Sequence, residues 1–212
     1  MSARTSILTS VVFTMTTALA QAQPLDFSSV SFPGATGARD AVVLDVNRDG
    51  WPDLATANTG RNTVAILENR ADGTGFGPPR EIAVGAGPFD IDAGDLNRDG
   101  ILDLIVTTPD GGAIEVLLMA GNGRVASRSL VAPGRQAWGA TLSDATRDGI
   151  LDLIYTDYAR ARVVLLPGTG TGAFGVALGE WVVGAKPQGV VARDFNHDGL
   201  LDIAVAATGA NT

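Results

Sequence analysis

A nine-residue pattern, Asp-x-Asn-x-Asp-Gly-x-x-Asp, recurs four times in this chain and constrains its fold more than any other feature. The copies begin at Asp45, Asp95, Asp144 and Asp194, so successive copies lie 50, 49 and 50 residues apart. A fixed period of this length is typical of architectures in which each repeat is one supersecondary unit. The chain therefore divides into units around residues 33–84, 85–132, 133–183 and 184–212, the last of them incomplete.

Each unit contains short apolar stretches separated by turn residues. In the first unit these stretches are residues 41–44, 54–57, 64–67 and 80–84, and no segment keeps a helical period over a useful length. Runs such as residues 113–118 and 162–166 are apolar, rich in β-branched residues and bounded by glycine, which is typical of buried strands. About four strands per unit are predicted.

Tandem units of four antiparallel strands predict an all-β fold, a β-propeller in which each unit of about 50 residues is one blade. A two-sheet sandwich also spaces short strands regularly, but it does not predict the same loop at the same place in every unit. Residues 25–32 resemble the fourth strand of a unit, and the sequence stops where the third strand of the last unit would begin. We therefore expect about four repeats of a larger propeller.

The first 22 residues have the features of an export signal. Arg4 precedes an apolar segment from Ile7 to Ala18, and small residues suited to signal peptidase stand at Ala18 and Ala20, so cleavage is expected after Ala20 or Ala22. We predict a signal peptide over residues 1–22 and repeats over residues 23–212. No later segment is apolar for long enough to span a bilayer, so the mature chain is expected to be secreted, whether periplasmic, at the cell surface or extracellular.

Composition excludes several classes of site. The chain has no cysteine and a single histidine, His197, so it lacks the residues for disulfide scaffolds, cysteine-based zinc sites and multi-histidine metal centres. Its formal net charge of -8 argues against nucleic acid as a partner. Of its 19 aspartates, 12 lie in the four repeated patterns, so the acidity is local.

The repeated loops predict calcium sites. Oxygen ligands stand at positions 1, 3, 5 and 9, a backbone carbonyl is available at position 7, and the glycine at position 6 permits a sharp turn, which together suit a hard cation with six to eight oxygen ligands. We predict three to four Ca²⁺ ions, one per loop. The predicted ligands are Asp45, Asn47, Asp49, Trp51 and Asp53; Asp95, Asn97, Asp99, Ile101 and Asp103; Asp144, Thr146, Asp148, Ile150 and Asp152; and Asp194, Asn196, Asp198, Leu200 and Asp202.

An alternative is that these loops are metal-free turns, in which Asp and Asn bond to the backbone. Three carboxylates in one loop argue against it, because each pair about 5 Å apart would repel by roughly 3 kcal/mol at an effective dielectric constant of 20. A dication removes that repulsion. The third loop has Thr146 at position 3, where a hydroxyl is a weaker ligand than an amide carbonyl, so its affinity should be the lowest.

The sequence resembles the FG-GAP or VCBS-type repeats found in integrin α subunits and in many secreted bacterial proteins. The resemblance covers residues 25–212 and is carried by residues 45–53, their three copies, and the Phe-Gly pairs at 76–77 and 174–175. The second unit departs from the pattern, with residues 123–125 where the Phe would stand. The resemblance implies a calcium-bearing propeller, usually of about seven blades, that serves as an adhesion or ligand-binding platform without identifying its ligand.

Three functions stay open at this point. The first is a binding module for an extracellular protein or carbohydrate, with candidate contacts at Arg39, Phe89, Trp138 and Gln188, although Phe89 and Trp138 are also suited to packing between blades. The second is an accessory or catalytic propeller of a polysaccharide-active enzyme, for which Asp90 and Asp92 share one strand face; we expect no enzymatic activity. The third is a structural spacer of a longer protein.

Overall fold

The computed structural model describes residues 37–209, which form fourteen β-strands and no helix. Accordingly, this part of the chain has no helix that could span a membrane. The predicted signal peptide and the strand expected at residues 25–32 lie outside the described residues. The strands are β1 (Ala38–Leu44), β2 (Asp53–Asn58), β3 (Thr63–Leu67), β4 (Arg80–Ala83), β5 (Ile91–Gly94), β6 (Asp103–Thr108), β7 (Ala113–Met119), β8 (Val125–Val131), β9 (Ala137–Ser143), β10 (Asp152–Asp157), β11 (Arg162–Leu166), β12 (Gly179–Val182), β13 (Pro187–Arg193) and β14 (Asp202–Ala207).

The strands form four antiparallel sheets, each continuous in sequence. Sheet 1 is β1-β2-β3-β4, sheet 2 is β5-β6-β7-β8, sheet 3 is β9-β10-β11-β12, and sheet 4 is the pair β13-β14. Register is set locally: in sheet 1, for example, Leu44 pairs with Asp53 and Leu54 pairs with Leu67. The prediction of four strands per unit is thus confirmed for the first three units.

The core lies between successive sheets. Strands β2, β6 and β10 are buried along their whole length, because both faces of each are covered. One apolar cluster joins sheets 1 and 2 around Ile66 and Leu104, a second joins sheets 2 and 3 around Ile114 and Leu153, and a third joins sheets 3 and 4 around Ile154. Burial of such side chains from both sheets is what holds the units together.

The first strands of the sheets lie side by side, β1 against β5, β5 against β9 and β9 against β13. The contact between β9 and β13 is so close that a Cβ on Gly139 would lie 2.5 Å from the carbonyl oxygen of Gln188. Only glycine fits there. The equivalent positions in sheets 1 and 2 carry Asp40 and Asp90, which bond to the next sheet instead.

Candidate functional site

The four aspartate loops, residues 45–53, 95–103, 144–152 and 194–202, connect the first strand of each sheet to its second and have the same backbone conformation. Position 4 is left-handed in each, with φ of 62–65°, and the glycine at position 6 has φ of 78–85°. A β-branched or bulky residue would be strained at position 6, which explains the recurrent glycine. All four loops therefore lie at one edge of their sheets.

The aspartates at positions 1 and 5 point into the loop and bond to its backbone. The Asp45 carboxylate accepts the N–H groups of Asp49 (3.1 Å) and Gly50 (2.9 Å), and the Asp49 carboxylate accepts that of Trp51 (2.8 Å). The same three bonds recur in the other three loops. The predicted side chains are thus gathered in each loop rather than spread over its surface.

Position 3 distinguishes the third loop from the others. Asn47 accepts the Asp49 N–H at 3.0 Å and donates its amide N–H to the Asp49 carboxylate at 3.0 Å, and Asn97 and Asn196 form the same pair of bonds. Thr146 forms neither bond through its side chain, and its backbone N–H instead donates to Asp152 at 2.8 Å. The third loop is therefore the least preorganised of the four.

The aspartate at position 9 is buried at the start of the second strand. Asp53, Asp103 and Asp152 each accept two backbone N–H groups, one from the same loop and one from the end of the third strand or the residues just after it. Burial raises the pKa of Asp53 and Asp103, the bonds to backbone N–H groups oppose this, and the carboxylates at positions 5 and 1 raise it further. The three carboxylates of a loop therefore repel one another.

These loops offer oxygen donors suited to calcium, but they do not enclose an ion by themselves. Within residues 37–209 no three acidic or histidine side chains stand close enough together to hold a metal ion. A carboxylate oxygen that accepts one hydrogen bond keeps a second lone pair. The carbonyls at position 7, on Trp51, Ile101, Ile150 and Leu200, accept no hydrogen bond from the described residues. The donor set fits a hard cation.

Arginines at position 4 link consecutive loops, a feature that the sequence analysis missed. Arg98 donates to the carbonyl of Gly149 at 3.2 Å and Arg147 donates to that of Gly199, in each case the position-6 glycine of the next loop. Arg48 lies correspondingly against Gly100. Arginine recurs at position 4 in three of the four copies, and this recurrence could have indicated that the residue links one loop to the next. The loops form one connected row.

The turns after the third strands explain the Phe-Gly pairs. Asn69 bridges to Phe76 and Gly168 bridges to Phe174, which closes equivalent turns in sheets 1 and 3. Sheet 2 departs here as its sequence does, because β8 begins at Val125 and runs for seven residues where β4 and β12 have four. Even so, Gly123 donates to the carbonyl of Val46 at 3.1 Å, and Gly172 donates to that of Leu96 at 2.9 Å. These turns therefore brace the preceding aspartate loop.

The candidate contact residues form a row at the opposite edge of the sheets. The Arg39 guanidinium lies 5.1 Å from the centroid of the Phe89 ring, and Phe89 meets Trp138 edge-on at 4.7 Å. Trp138 also stacks on Tyr158 at 4.9 Å, and Phe89, Trp138 and Gln188 are half-buried. The two large aromatic side chains thus pack between sheets, the alternative raised for them, while Arg39 is exposed.

Asp40, Asp90 and Asp92 connect the first strands of sheets 1, 2 and 3. Asp40 accepts the N–H of Ile91 at 3.0 Å, Asp90 that of Ala140 at 2.8 Å, and Asp92 that of Leu142 at 2.9 Å. Burial, a hydrogen bond with the Asp40 carboxyl and the nearby charges of Asp40 and Asp92 raise the pKa of Asp90 to about 8. Asp90 thus shares a hydrogen bond with the carboxyl group of Asp40, whereas Asp92 acts on it only through its charge.

Comparison with known proteins gives a family and a fold. The model of the FG-GAP-like repeat family matches three overlapping stretches, residues 45–106, 95–155 and 144–205. No curated protein sequence matches the chain.

Three solved structures resemble it. BBS1N in complex with ARL6DN, soaked with lead, has a TM-score of 0.57 and 16% identity over 81% of this chain and 52% of that one. A second such complex, soaked with mercury, has a TM-score of 0.55 and 17% identity over 81% and 49%. A lectin of Agrocybe aegerita that recognises non-reducing terminal N-acetylglucosamine has a TM-score of 0.53 and 24% identity over 77% and 45%. This chain thus spans about half the length of each, and the likeness concerns the fold.

Proposed function

The chain belongs to the FG-GAP-like repeat family, and from that premise we propose that it is a secreted, calcium-binding β-propeller module that binds a protein or glycan partner. The observation that carries the proposal is the row of four aspartate loops, which share one backbone conformation and one set of oxygen donors at one edge of the sheets. Binding, rather than catalysis, is the role we assign to it.

The arrangement of the sheets supports the propeller. Each sheet is an antiparallel meander continuous in sequence, successive sheets pack face to face, and the first strands lie next to one another. Blades of a propeller have these three properties, with the first strand innermost. The proposed propeller has more than the four units described, about seven by analogy with the family.

The chemistry of the loops supports calcium. All side-chain donors are carboxylates, amides and one hydroxyl, the oxygen ligands that Ca²⁺ prefers, and carbonyl oxygens at position 7 are free to join them. Burial is the main cause that raises the pKa of Asp53 and Asp103, and the charges of the carboxylates at positions 5 and 1 add to it. A bound dication would relieve this added repulsion. The leader-like segment at residues 1–22 supports export to a compartment where calcium is plentiful.

The edge opposite the calcium loops is the proposed partner surface. It carries the exposed Arg39 beside the half-buried rings of Phe89, Trp138 and Tyr158, whose packing against one another holds these strand ends rigid. The Agrocybe aegerita lectin recognises a sugar and BBS1N was solved with a protein, ARL6DN, so both classes of partner occur on similar folds. In this proposal the protein or carbohydrate partner binds at this edge, while calcium stiffens the opposite edge.

A calcium titration of the chelator-treated mature chain tests the proposal. We expect three to four ions by calorimetry and a rise in melting temperature with calcium. At 1 mM calcium and a dissociation constant of about 10 µM, each independent site adds roughly 2.7 kcal/mol to the free energy of unfolding. Asp99→Asn should remove or weaken one site, because it replaces a charged ligand with a neutral one.

Asp110→Asn is the matched control, because Asp110 is an exposed aspartate outside the loops. It should leave stoichiometry and melting unchanged. A chain that shows cooperative β-structure but neither heat of binding nor a shift in melting temperature would overturn the calcium part of the proposal.

A further inference from the structure

Two of the aspartate loops are bonded to the loop before them through the arginine at position 4 of that preceding loop. The Nη2 atom of Arg98 donates to the carbonyl oxygen of Gly149 at 3.2 Å, and Arg147 donates in the same way to the carbonyl of Gly199. In both cases the bond joins position 4 of one loop to position 6 of the following loop. Residues 50 positions apart, on different sheets, therefore share one contact.

These bonds hold one peptide group of the receiving loop at both ends. The N–H of Ile150 donates to the Asp148 carboxylate at 2.8 Å. The other end of the same peptide, the carbonyl of Gly149, accepts from Arg98. The fourth loop repeats this arrangement, with its position-5 carboxylate and Arg147 as the two partners. The next carbonyl along each loop is the one at position 7, a proposed calcium ligand.

This peptide is the part of the loop that rotates most easily. It follows the position-6 glycine, which has φ of 78–85° and no Cβ to restrict its backbone. Rotation of the peptide would take its N–H away from the position-5 carboxylate and would displace the carbonyl at position 7. A guanidinium bonded to the position-6 carbonyl opposes that rotation.

The arginine is itself confined by the receiving sheet. A Cβ built on Gly170, in the turn after β11, would lie 3.3 Å from Cδ of Arg98 and 3.6 Å from Cδ1 of Ile150. Both side chains therefore lie against this turn. An arginine confined in this way loses little further rotamer freedom when its guanidinium bonds to a carbonyl.

The backbone at position 4 gives arginine no advantage of its own. The φ angle is 65° at Arg98 and 63° at Arg48 and Arg147, a left-handed conformation that glycine or asparagine adopts at lower cost. Between residues 37 and 209, none of these three arginines forms an ion pair with a carboxylate. The recurrence of arginine therefore points to its hydrogen bond to the next loop.

We infer that Arg98 and Arg147 are positioning residues for the calcium site of the following loop. Each fixes the peptide before the position-7 carbonyl, and so raises the calcium affinity of a loop in the next sheet rather than that of its own loop. This inference rests on the proposed calcium function, but the anchoring of the peptide is a property of the chain without calcium as well.

The anchoring is tested in chelator, where calcium plays no part. Arg98→Met removes the guanidinium and keeps an unbranched stem. We expect amide hydrogen exchange at Ile150, measured by NMR on the mature chain, to accelerate about threefold, a modest factor because the lost bond is exposed. Exchange at Ile101, at position 7 of the arginine's own loop, should stay unchanged.

The effect on calcium is measured loop by loop, with the amide signal of each position-6 glycine as the reporter. In a calcium titration of Arg98→Met, the midpoint reported by Gly149 should move to about threefold higher calcium. The midpoint reported by Gly100, in the arginine's own loop, should stay at its wild-type value. Arg98→Lys retains a charged donor and should restore most of the affinity.

Arg124→Met is the matched control, because Arg124 is an exposed arginine in the turn between β7 and β8 and its loss removes the same charge. This variant should leave the exchange at Ile150 and the midpoint reported by Gly149 at their wild-type values.

Unchanged exchange at Ile150 in Arg98→Met would overturn the inference, as would equal shifts of the Gly100 and Gly149 midpoints. Tighter calcium binding at Gly149 would also overturn it, because the charge of the arginine would then repel calcium more than its bond positions the carbonyl. A wild type that binds no calcium overturns the proposed function and the claim about affinity, whereas exchange in chelator still decides whether the arginine anchors the peptide. The two failures are therefore distinguishable.

Discussion

Single residues decide how neighbouring sheets are joined. Where Asp40 and Asp90 stand, a carboxylate reaches the backbone N–H of the next sheet; at the equivalent position in sheet 3, Gly139 leaves room for the backbone of β13 to approach directly. The sequence pattern placed Asp90 and Asp92 on one strand face. The partnership of Asp90 with Asp40 was not predictable, because the two residues are 50 positions apart and meet only when sheets 1 and 2 pack.

The raised pKa of Asp90 predicts a pH-dependent stability. Its value of about 8 in the folded chain lies above the ordinary 3.8, so the folded state binds the extra proton between these values. The stabilisation is complete below about pH 4 and is lost as pH rises towards 8, by at most ~1.4 kcal/mol per pH unit. Asp40 and Asp92 are the facing carboxylates, and β9 offers Asp90 only a backbone N–H.

Asp90→Asn should remove this dependence, because an amide mimics the protonated carboxyl and still accepts the Ala140 N–H. Denaturant unfolding at pH 5, 7 and 9 in saturating calcium measures this dependence. We expect the free energy of unfolding of the variant to increase relative to that of the wild type as pH rises. Asp110→Asn, at an exposed aspartate, should follow the wild type. If the free energy of unfolding changes with pH in the same way for the wild type and Asp90→Asn, then Asp90 is ionised at all three pH values and the prediction is wrong.

At the scale of the element, the aspartate loops were the most predictable part of the chain. Their boundaries, their glycine turn and the inward position of the aspartates follow from nine consecutive residues, since nearly all the hydrogen bonds of positions 1 to 5 stay within the loop. The exception is position 9. Its carboxylate also accepts an N–H group from the end of the third strand or just beyond it, as Asp53 does from Asn69, and this contact exists only in the folded sheet.

The third loop is the one that we propose to bind calcium most weakly, and one substitution should raise its affinity. Thr146→Asn should restore the two side-chain bonds that Asn47, Asn97 and Asn196 make, and should supply a better oxygen ligand. We expect the weakest step of the calcium titration to strengthen roughly three- to tenfold. The reverse change, Asn97→Thr, should weaken a strong step by a similar factor. If neither variant alters calcium binding, position 3 is not a ligand.

At the scale of the whole molecule, the proposed calcium sites would change the net charge. Residues 1–22 carry Arg4 as their only charged side chain, so their removal changes the net charge from -8 to -9. Four calcium ions would add eight positive charges and leave the mature chain almost neutral. If the proposed calcium sites exist, most of the acidity of the chain belongs to unfilled ligands, and its affinity for charged partners would depend on calcium.

Native electrophoresis with and without calcium measures this change. We expect the mature chain to lose most of its migration towards the anode in saturating calcium, in proportion to the number of ions that it binds. Asp99→Asn, with one ligand charge fewer, should show a smaller change. Equal mobility in calcium and in chelator would contradict the expected number of ions.

The sequence by itself determined the repeat, the strands and the loops. These depend on contacts within about 25 residues: β-branched apolar runs, left-handed glycines at position 6, and aspartates that bond to their own loop. The tertiary structure decided everything that requires two sheets. The arginine links between loops, the Asp40–Asp90 pair and the packing of Trp138 on Phe89 all join residues from different units. A periodic sequence places such residues in equivalent positions, but only the packing of one sheet on the next brings their side chains together.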